Sequence, residues 1–367
     1  MSSADILKGF RDPEHAAALV TAIAEAATEP QTFMEVCGTH TMAIAKNGLR
    51  GVMPENIKLL SGPGCPVCVT GNADIDMAIE LARQPHVILT TFGDMMKVPG
   101  SYSSLSREKA DGHDVRVVYS PLDSLTLAEG NPEKHVIFLG VGFETTAPTV
   151  ALTIREAARR GLTNWSALSL HKTVPEALRA LTNDPDVKIT GFILPGHVST
   201  IIGSEPYRFL AEEYGVAGVI TGFEPVDVLQ GIWMLAKQRA EGRAEIEIAY
   251  TRAVMPEGNE IAVRAIEEVF EPSDAEWRGL GVIPGTGLAI RPEFSQYDAL
   301  VRVPVTPPEP RAIKGCQCGD VLRGAVLPFD CKLFGRGCTP EHPIGPCMVS
   351  SEGSCAAYYR YTDYGRA

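Results

Sequence analysis

The sequence predicts an α/β protein built from two related parallel-sheet (Rossmann-like) domains and a small cysteine-rich C-terminal domain. Three observations predict it. β-rich apolar runs alternate with helical periodicity, as parallel strands joined by crossover helices require. A set of short matches recurs at an offset of 131 or 132 residues. The periodic pattern then gives way, from about residue 310, to a tail rich in Gly, Pro and Cys.

The elements follow in order. Asp12-Pro13 caps a helix running to about Thr28, with proline at its first position. A strand-like stretch ends at Cys37-Gly38-Thr39-His40. Ile57–Leu60 forms a second, closed by the turn Gly62-Pro63-Gly64, and a helix from about Asn72 to Arg83 buries Ile75, Ile79 and Ala82. His86–Phe92, Val115–Tyr119 and His135–Val141 read as further strands, with a helix over 145–160. Thr173-Val174-Pro175-Glu176 has the pattern of a capping box.

The repeat matches Pro63-Gly64 with Pro195-Gly196 and Ile88–Phe92 with Val219–Phe223. It also matches Val118-Tyr119-Ser120 with Ala249-Tyr250-Thr251 and places His40 opposite His171. It predicts domains at 1–130 and 131–255, followed by a C-terminal region at 256–367. The first domain would carry Cys37, Cys65 and Cys68, which have no cysteine twins in the second.

Composition excludes several classes of function. Hydrophobic residues make up 45% and charged residues 21%, enough apolar surface to offset the entropy of ordering. The chain holds 33 Lys/Arg against 45 Asp/Glu, a net charge of −12 that repels phosphate backbones and argues against nucleic-acid binding. The longest apolar runs, such as Val136–Val141, are far too short for a membrane span. Residues 13–28 read as an amphipathic helix, since Glu14 and Glu25 interrupt them and no basic start precedes them, so no signal peptide is expected. A cytoplasmic location follows as an expectation.

The nine cysteines carry the chemistry. An odd number on a long chain makes a poor disulfide framework. Cys65-Pro66-Val67-Cys68 is a C-x-x-C with Pro66 at the first helical position, which makes Cys65 the cap. A thiolate there is suited to disulfide exchange or soft-metal binding; the plainer alternative is half of a zinc site. Cys37 and His40, three residues apart, suit a nucleophile and base or two metal ligands, or merely a core histidine beside a cysteine. Gly140-Val141-Gly142-Phe143-Glu144-Thr145-Thr146 superficially resembles a phosphate loop but lacks the third glycine and the Lys-Ser/Thr. Thr39, Glu144, Thr145, Thr146 and His197 are candidates to line a cleft, although helix capping by a threonine and a solvated histidine are simpler readings. In the tail, six thiols lie between Cys316 and Cys355. They lack the paired knuckles of a zinc ribbon and suit an iron–sulfur cluster, but spacing leaves open which four would hold it.

Five segments together resemble the HypD family of [NiFe]-hydrogenase maturation factors: Cys37–His40, Gly62–Cys68, Gly142–Pro148, Pro195–Ser199 and Gly345–Gly353. The resemblance runs from about residue 30 to the C-terminus. It implies an assembly scaffold more than an enzyme, one on which the Fe(CN)2(CO) moiety of the hydrogenase site is built with the small protein HypC and with cyanide from HypE. It implies that Cys37 binds the iron and that Cys65 and Cys68 form a redox-active dithiol beside it; His40, from its spacing to Cys37, is counted with the dithiol as a catalytic candidate. The family's C-x14-C-x6-C-x16-C pattern falls on Cys316, Cys331, Cys338 and Cys355, which implies a [4Fe–4S] cluster there and leaves Cys318 and Cys347 outside it. An iron–sulfur disulfide reductase and a structural zinc protein are the alternatives.

Overall fold

The computed structural model describes residues 9–362. Its frame is two parallel sheets. The first contains β1 (Gln31–Glu35), β2 (Ile57–Ser61), β7 (Gly191–Pro195), β8 (Ala217–Thr221) and β9 (Ile246–Ile248), in the order β2-β1-β7-β8-β9. The second contains β3 (Val87–Thr91), β4 (Val115–Val117), β5 (His135–Gly140) and β6 (Trp165–Ser169), in the order β4-β3-β5-β6. Every pairing within them is parallel.

Counted along the chain, both sheets begin with the same doubly wound order, 2-1-3-4. Such sheets bind ligands beyond the carboxyl ends of their strands, at the point where the order reverses. In the first sheet that point lies between β1 and β7; in the second it lies between β3 and β5.

The expected division at residues 130/131 is not where the sheets divide. The unit of β3–β6 is inserted between β2 and β7, and the first sheet is completed by strands from both ends of the chain. The repeat also fails to separate the sheets, because its matches equate β2 with β7, which share a sheet, and β3 with β8, which do not. Pairing follows which edge is free: β1 has β2 on one side and takes β7 on the other, Phe33 opposite Gly191. The expected region 256–367 also splits. α12 (Glu260–Val269) and the antiparallel hairpin β10 (Phe270–Trp277)–β11 (Gly281–Ile290) cover the second sheet, whereas residues from Cys318 onward join the central core.

Strand alternation distributes the apolar side chains among three layers. Phe33, Leu59, Ile193 and Val219 pack outward beneath α1 (Pro13–Ala26) and α11 (Pro225–Ala240). Ile88, Val136, Phe138 and Ala167 face α7 (Ala147–Arg160). Met34, Leu60, Leu194, Leu89, Ile137 and Leu139 enter the central layer, which also buries Cys65, Cys68, Cys318, Cys338, Cys347 and Cys355. The strands read as continuous apolar runs because both faces are covered.

Local capping signals hold at some ends and fail at others. Asp12 caps α1 through Oδ1, which accepts from the Glu14 and His15 N–H groups at 2.8 and 3.4 Å. The capping box expected at Thr173 does not form. Thr173 makes no side-chain cap, Glu176 pairs with Arg179, and the Val174 N–H at the start of α8 (Val174–Thr182) donates to Glu144 Oε1 at 2.8 Å. A buried carboxylate from the second sheet displaces the local cap.

Candidate functional site

Cys37 follows β1 by two residues and stands before the first turn of α2 (Gly38–Lys46), at the switch point of the first sheet. Extended φ and ψ of −148° and 126° turn the chain from strand to helix there. Cys65 ends the loop after the adjacent strand β2 and occupies the same position before the short helix α3 (Pro66–Val69). The two loops interlock: Gly38 N–H donates to the Gly64 carbonyl at 2.9 Å. A Cβ on Gly64 would overlap the Cys37 backbone, so glycine is needed for this approach.

Beneath the loops, Glu35 fixes the ends of both strands. Its Oε1 accepts from Ser61 Oγ at 2.6 Å and from Arg50 Nη2 at 3.1 Å, and its Oε2 accepts from Gly62 N–H at 3.2 Å. Burial raises this carboxyl to about 7 against the pull of Arg50. Neither Glu35 nor Arg50 was a sequence candidate; an acidic residue inside an apolar strand was the available signal.

The C-terminal segment joins Cys37 to the dithiol. Cys65 Sγ–H donates to Ser350 Oγ at 3.3 Å, Glu352 N–H donates to the same oxygen at 3.2 Å, and Thr39 Oγ1 donates to Glu352 Oε1 at 2.7 Å. Burial, and then the Glu352 carboxylate, push the Cys37 thiol up to about 11. Unligated Cys37 is therefore a thiol at neutral pH, and a metal binding there must displace its proton.

His40 is fully buried, with Nε2 at 2.9 Å from the Gly222 carbonyl and 2.8 Å from Thr221 Oγ1, at the end of β8. Burial lowers its pKa to about 4, so the ring is neutral. Phe223 packs against both His40 and the exposed His197, with centroids 4.7 and 4.0 Å apart. Cys37, Thr39, His40 and His197 thus converge on one end of the first sheet.

Glu144 stands at the other switch point. It is 3% exposed and raised to about 7 by burial; while Oε1 caps α8, Oε2 has no partner. It and Cys37 both act electrostatically on buried Tyr207. Thr146 Oγ1 turns back to the Phe143 carbonyl at 3.3 Å and makes no helix cap. No hydrogen bond joins Thr145 or Thr146 to a cysteine among the described residues.

Cys65 does sit at the helix cap, but its sulfur faces Ser350 and makes no cap hydrogen bond. Cys68 is completely buried, and desolvation raises its pKa well above the ordinary thiol value. It meets Cys347 on α15 (Pro346–Val349), a second short helix that also begins with proline and packs on α3. The Cys347 thiol also interacts with those of Cys318 and Cys355.

Cys316, Cys318, Cys331, Cys338 and Cys355 line one cavity, walled by Val321, Leu333, Phe334 and Met348. The four thiols that the resemblance picks out are all present in it, and soft sulfur donors in an apolar shell fit an iron–sulfur cluster. Cys318 lies beside them, and Cys347 stands between that cavity and Cys68. The bridging position of Cys347 was invisible in its spacing. All nine cysteines are free. Among the described residues, no three His, Cys, Asp or Glu side chains converge to hold a single metal ion, and no helix is long and apolar enough to cross a membrane.

Similarity to known proteins extends over nearly the whole chain. The family described as "HypD: Hydrogenase formation hypA family" matches residues 14–362. The hydrogenase maturation factor HypD of Rhodobacter capsulatus is 49% identical over 364 residues, covering 96% of this chain and 97% of that protein. The HypD proteins of Rhizobium leguminosarum bv. viciae and Escherichia coli (strain K12) are 48% and 44% identical, covering 93% and 96% of this chain and 91% and 96% of their own lengths. With the cysteine-bearing loops gathered at one sheet end and this likeness running through all of them, the chain belongs to the HypD family of hydrogenase maturation factors.

Proposed function

We propose that this hydrogenase maturation factor is a scaffold that holds iron at Cys37 while the Fe(CN)2(CO) moiety of a [NiFe]-hydrogenase site is assembled. HypC shares the iron, and HypE supplies cyanide. The observation that carries the reading is the interlock of the Cys37 and Cys65 loops, which sets a third thiol beside a dithiol at a sheet switch point. A dithiol can cycle between thiol and disulfide without a third sulfur, whereas a scaffold needs one for its metal. Cyanide and carbonyl favour low-spin Fe(II), for which a soft thiolate is a suitable anchor. A single anchoring cysteine also leaves coordination positions free for incoming ligands and for a partner's sulfur.

Cys316, Cys331, Cys338 and Cys355 would hold a [4Fe–4S] cluster, which supplies one-electron chemistry when bound. Cys347 acts electrostatically on Cys68, Cys318 and Cys355, and Cys68 Sγ approaches the Pro346 carbonyl beside it at 3.9 Å, in keeping with redox support of the nascent site by the dithiol. Thr39 and Glu352 fix the Cys37 loop, while His40 holds it against β8 as a neutral ring.

That same sulfur connection favours a second reading, an iron–sulfur disulfide reductase acting on a protein disulfide. An infrared spectrum of the protein purified anaerobically with HypC separates the two. Cyanide and carbonyl stretching bands that disappear in Cys37→Ser, with partner binding and cluster absorbance retained, are expected for the scaffold. Bands persisting in Cys37→Ser at full intensity would remove Cys37 as the anchor.

A further inference from the structure

Cys331 lies on the wall between two cavities. One is the thiol cavity; the other, of about 460 Å³, is lined by Phe329, Phe334, Tyr358 and Tyr359 together with Lys332, Arg336 and one acid, Asp330, whose carboxylate accepts from the Leu327 N–H. The rings form a connected wall, with Phe329 edge-on to Phe334 at 5.4 Å and to Tyr358 at 5.2 Å, and Phe334 edge-on to Tyr359 at 6.2 Å. Lys332 and Arg336 are exposed and form no ion pair among the described residues, whereas Arg323 of the same segment is bound to Asp184, Asp186 and Asp320. Residues 311–362 hold six Lys/Arg against four Asp/Glu, a positive segment on a chain whose net charge is −12.

We propose that this aromatic, basic face is the docking surface for a small acidic one-electron carrier protein. The inference rests on the cluster reading given above. Unpaired cations attract an acidic partner and speed its encounter. The aromatic wall provides the apolar contact that holds it. The buried cysteine shared by the two cavities keeps the distance from surface to thiol cavity to the thickness of one side chain. Each encounter oxidises the carrier by one electron and reduces the centre ligated by Cys331 by one. Two encounters, with two protons from water, balance the conversion of one Cys65–Cys68 disulfide to two thiols.

The test uses the anaerobically purified, cluster-loaded protein with a reduced plant-type [2Fe–2S] ferredoxin as probe and dithionite as a small reductant. Charge reversal by Lys332→Glu with Arg336→Glu is expected to slow reduction by ferredoxin at low salt at least tenfold, to abolish its salt dependence, and to leave the dithionite rate unchanged. Calorimetric binding of oxidised ferredoxin should weaken in parallel. Equal ferredoxin rates and affinities in wild type and variant would overturn the docking surface, as would equal slowing with both reductants. Protein without absorbance near 400 nm after anaerobic purification and reconstitution would instead overturn the cluster reading, and the calorimetric comparison alone would then decide whether this face binds an acidic carrier.

Discussion

The N–H of Gly38 donates to the carbonyl of Gly64 at 2.9 Å, so the loops that follow two neighbouring strands are one structural unit. Their cysteines, Cys37 and Cys65, are 28 positions apart in sequence yet share a sheet edge. Gly64→Ala tests the unit directly, because a methyl group there overlaps the Cys37 backbone. It should cost about 1–3 kcal/mol, as overpacking of a well-filled site does. Denaturant melts measure the loss; an unchanged midpoint would mean that the loops separate freely.

The cluster assignment predicts a division among the tail cysteines. Alanine at Cys316, Cys331, Cys338 or Cys355 should remove iron and sulfide and destabilise the segment, since metal binding and folding are coupled there. Cys318→Ala and Cys347→Ala should retain both. Iron and sulfide analysis of the six variants decides it, and cluster loss from either of the last two would reassign the ligands.

Thiol reactivity should follow burial. Cys37, with its thiol near 11, should react slowly with iodoacetamide at pH 7 and faster as the pH approaches 11. Of the C-x-x-C pair, Cys65 should label before Cys68, which is fully buried and whose thiol burial pushes well above the ordinary range. Mass-spectrometric mapping after brief treatment gives the order; Cys68 labelling first would reverse the roles of the pair.

Glu144 makes stability depend on pH. Its folded pKa of about 7 exceeds the ordinary 4.5, so the folded state binds the proton more tightly. Stability is then greatest below pH 4.5 and falls as pH rises through 7, by about 3 kcal/mol for this group. Glu144→Gln keeps an acceptor for the Val174 N–H and should be more stable than wild type at pH 8 by up to about that amount, with the difference closing in acid. Paired melts at pH 4.5 and 8 measure it, and a constant difference would show that the carboxyl is hydrated.

His40 and His171 act in the opposite direction. Burial lowers both to about 4 from 6.5, so their contribution is complete above 6.5 and is lost as pH falls through 4. Imidazole titration by NMR should give midpoints near 4 for both rings. Values near 6.5 would place either ring in water.

The sequence by itself determined the local pieces: the Asp12 cap, the apolar strands, the proline-led turn at Cys65-Pro66, and the identity of every sulfur. These depend on neighbouring residues and backbone preference, which a linear pattern records. It also carried the family, through motifs long enough to be specific. The partnering of the pieces was decided by tertiary structure. An apolar strand buried on both faces carries no mark of its neighbour, so the joining of β1 to β7 across an inserted sheet could not be read from either strand, and a repeat at fixed offset pointed to the wrong boundary. The same holds at the site. Glu144 was visible as a polar residue after a strand, but only packing made it the cap of a helix that begins 30 residues later. Cys347 was one thiol among six until two short helices, each started by a proline, met and set it against Cys68. Sulfur chemistry is written in residue type; the order in which the sulfurs touch depends on burial and packing between segments nearly 280 residues apart.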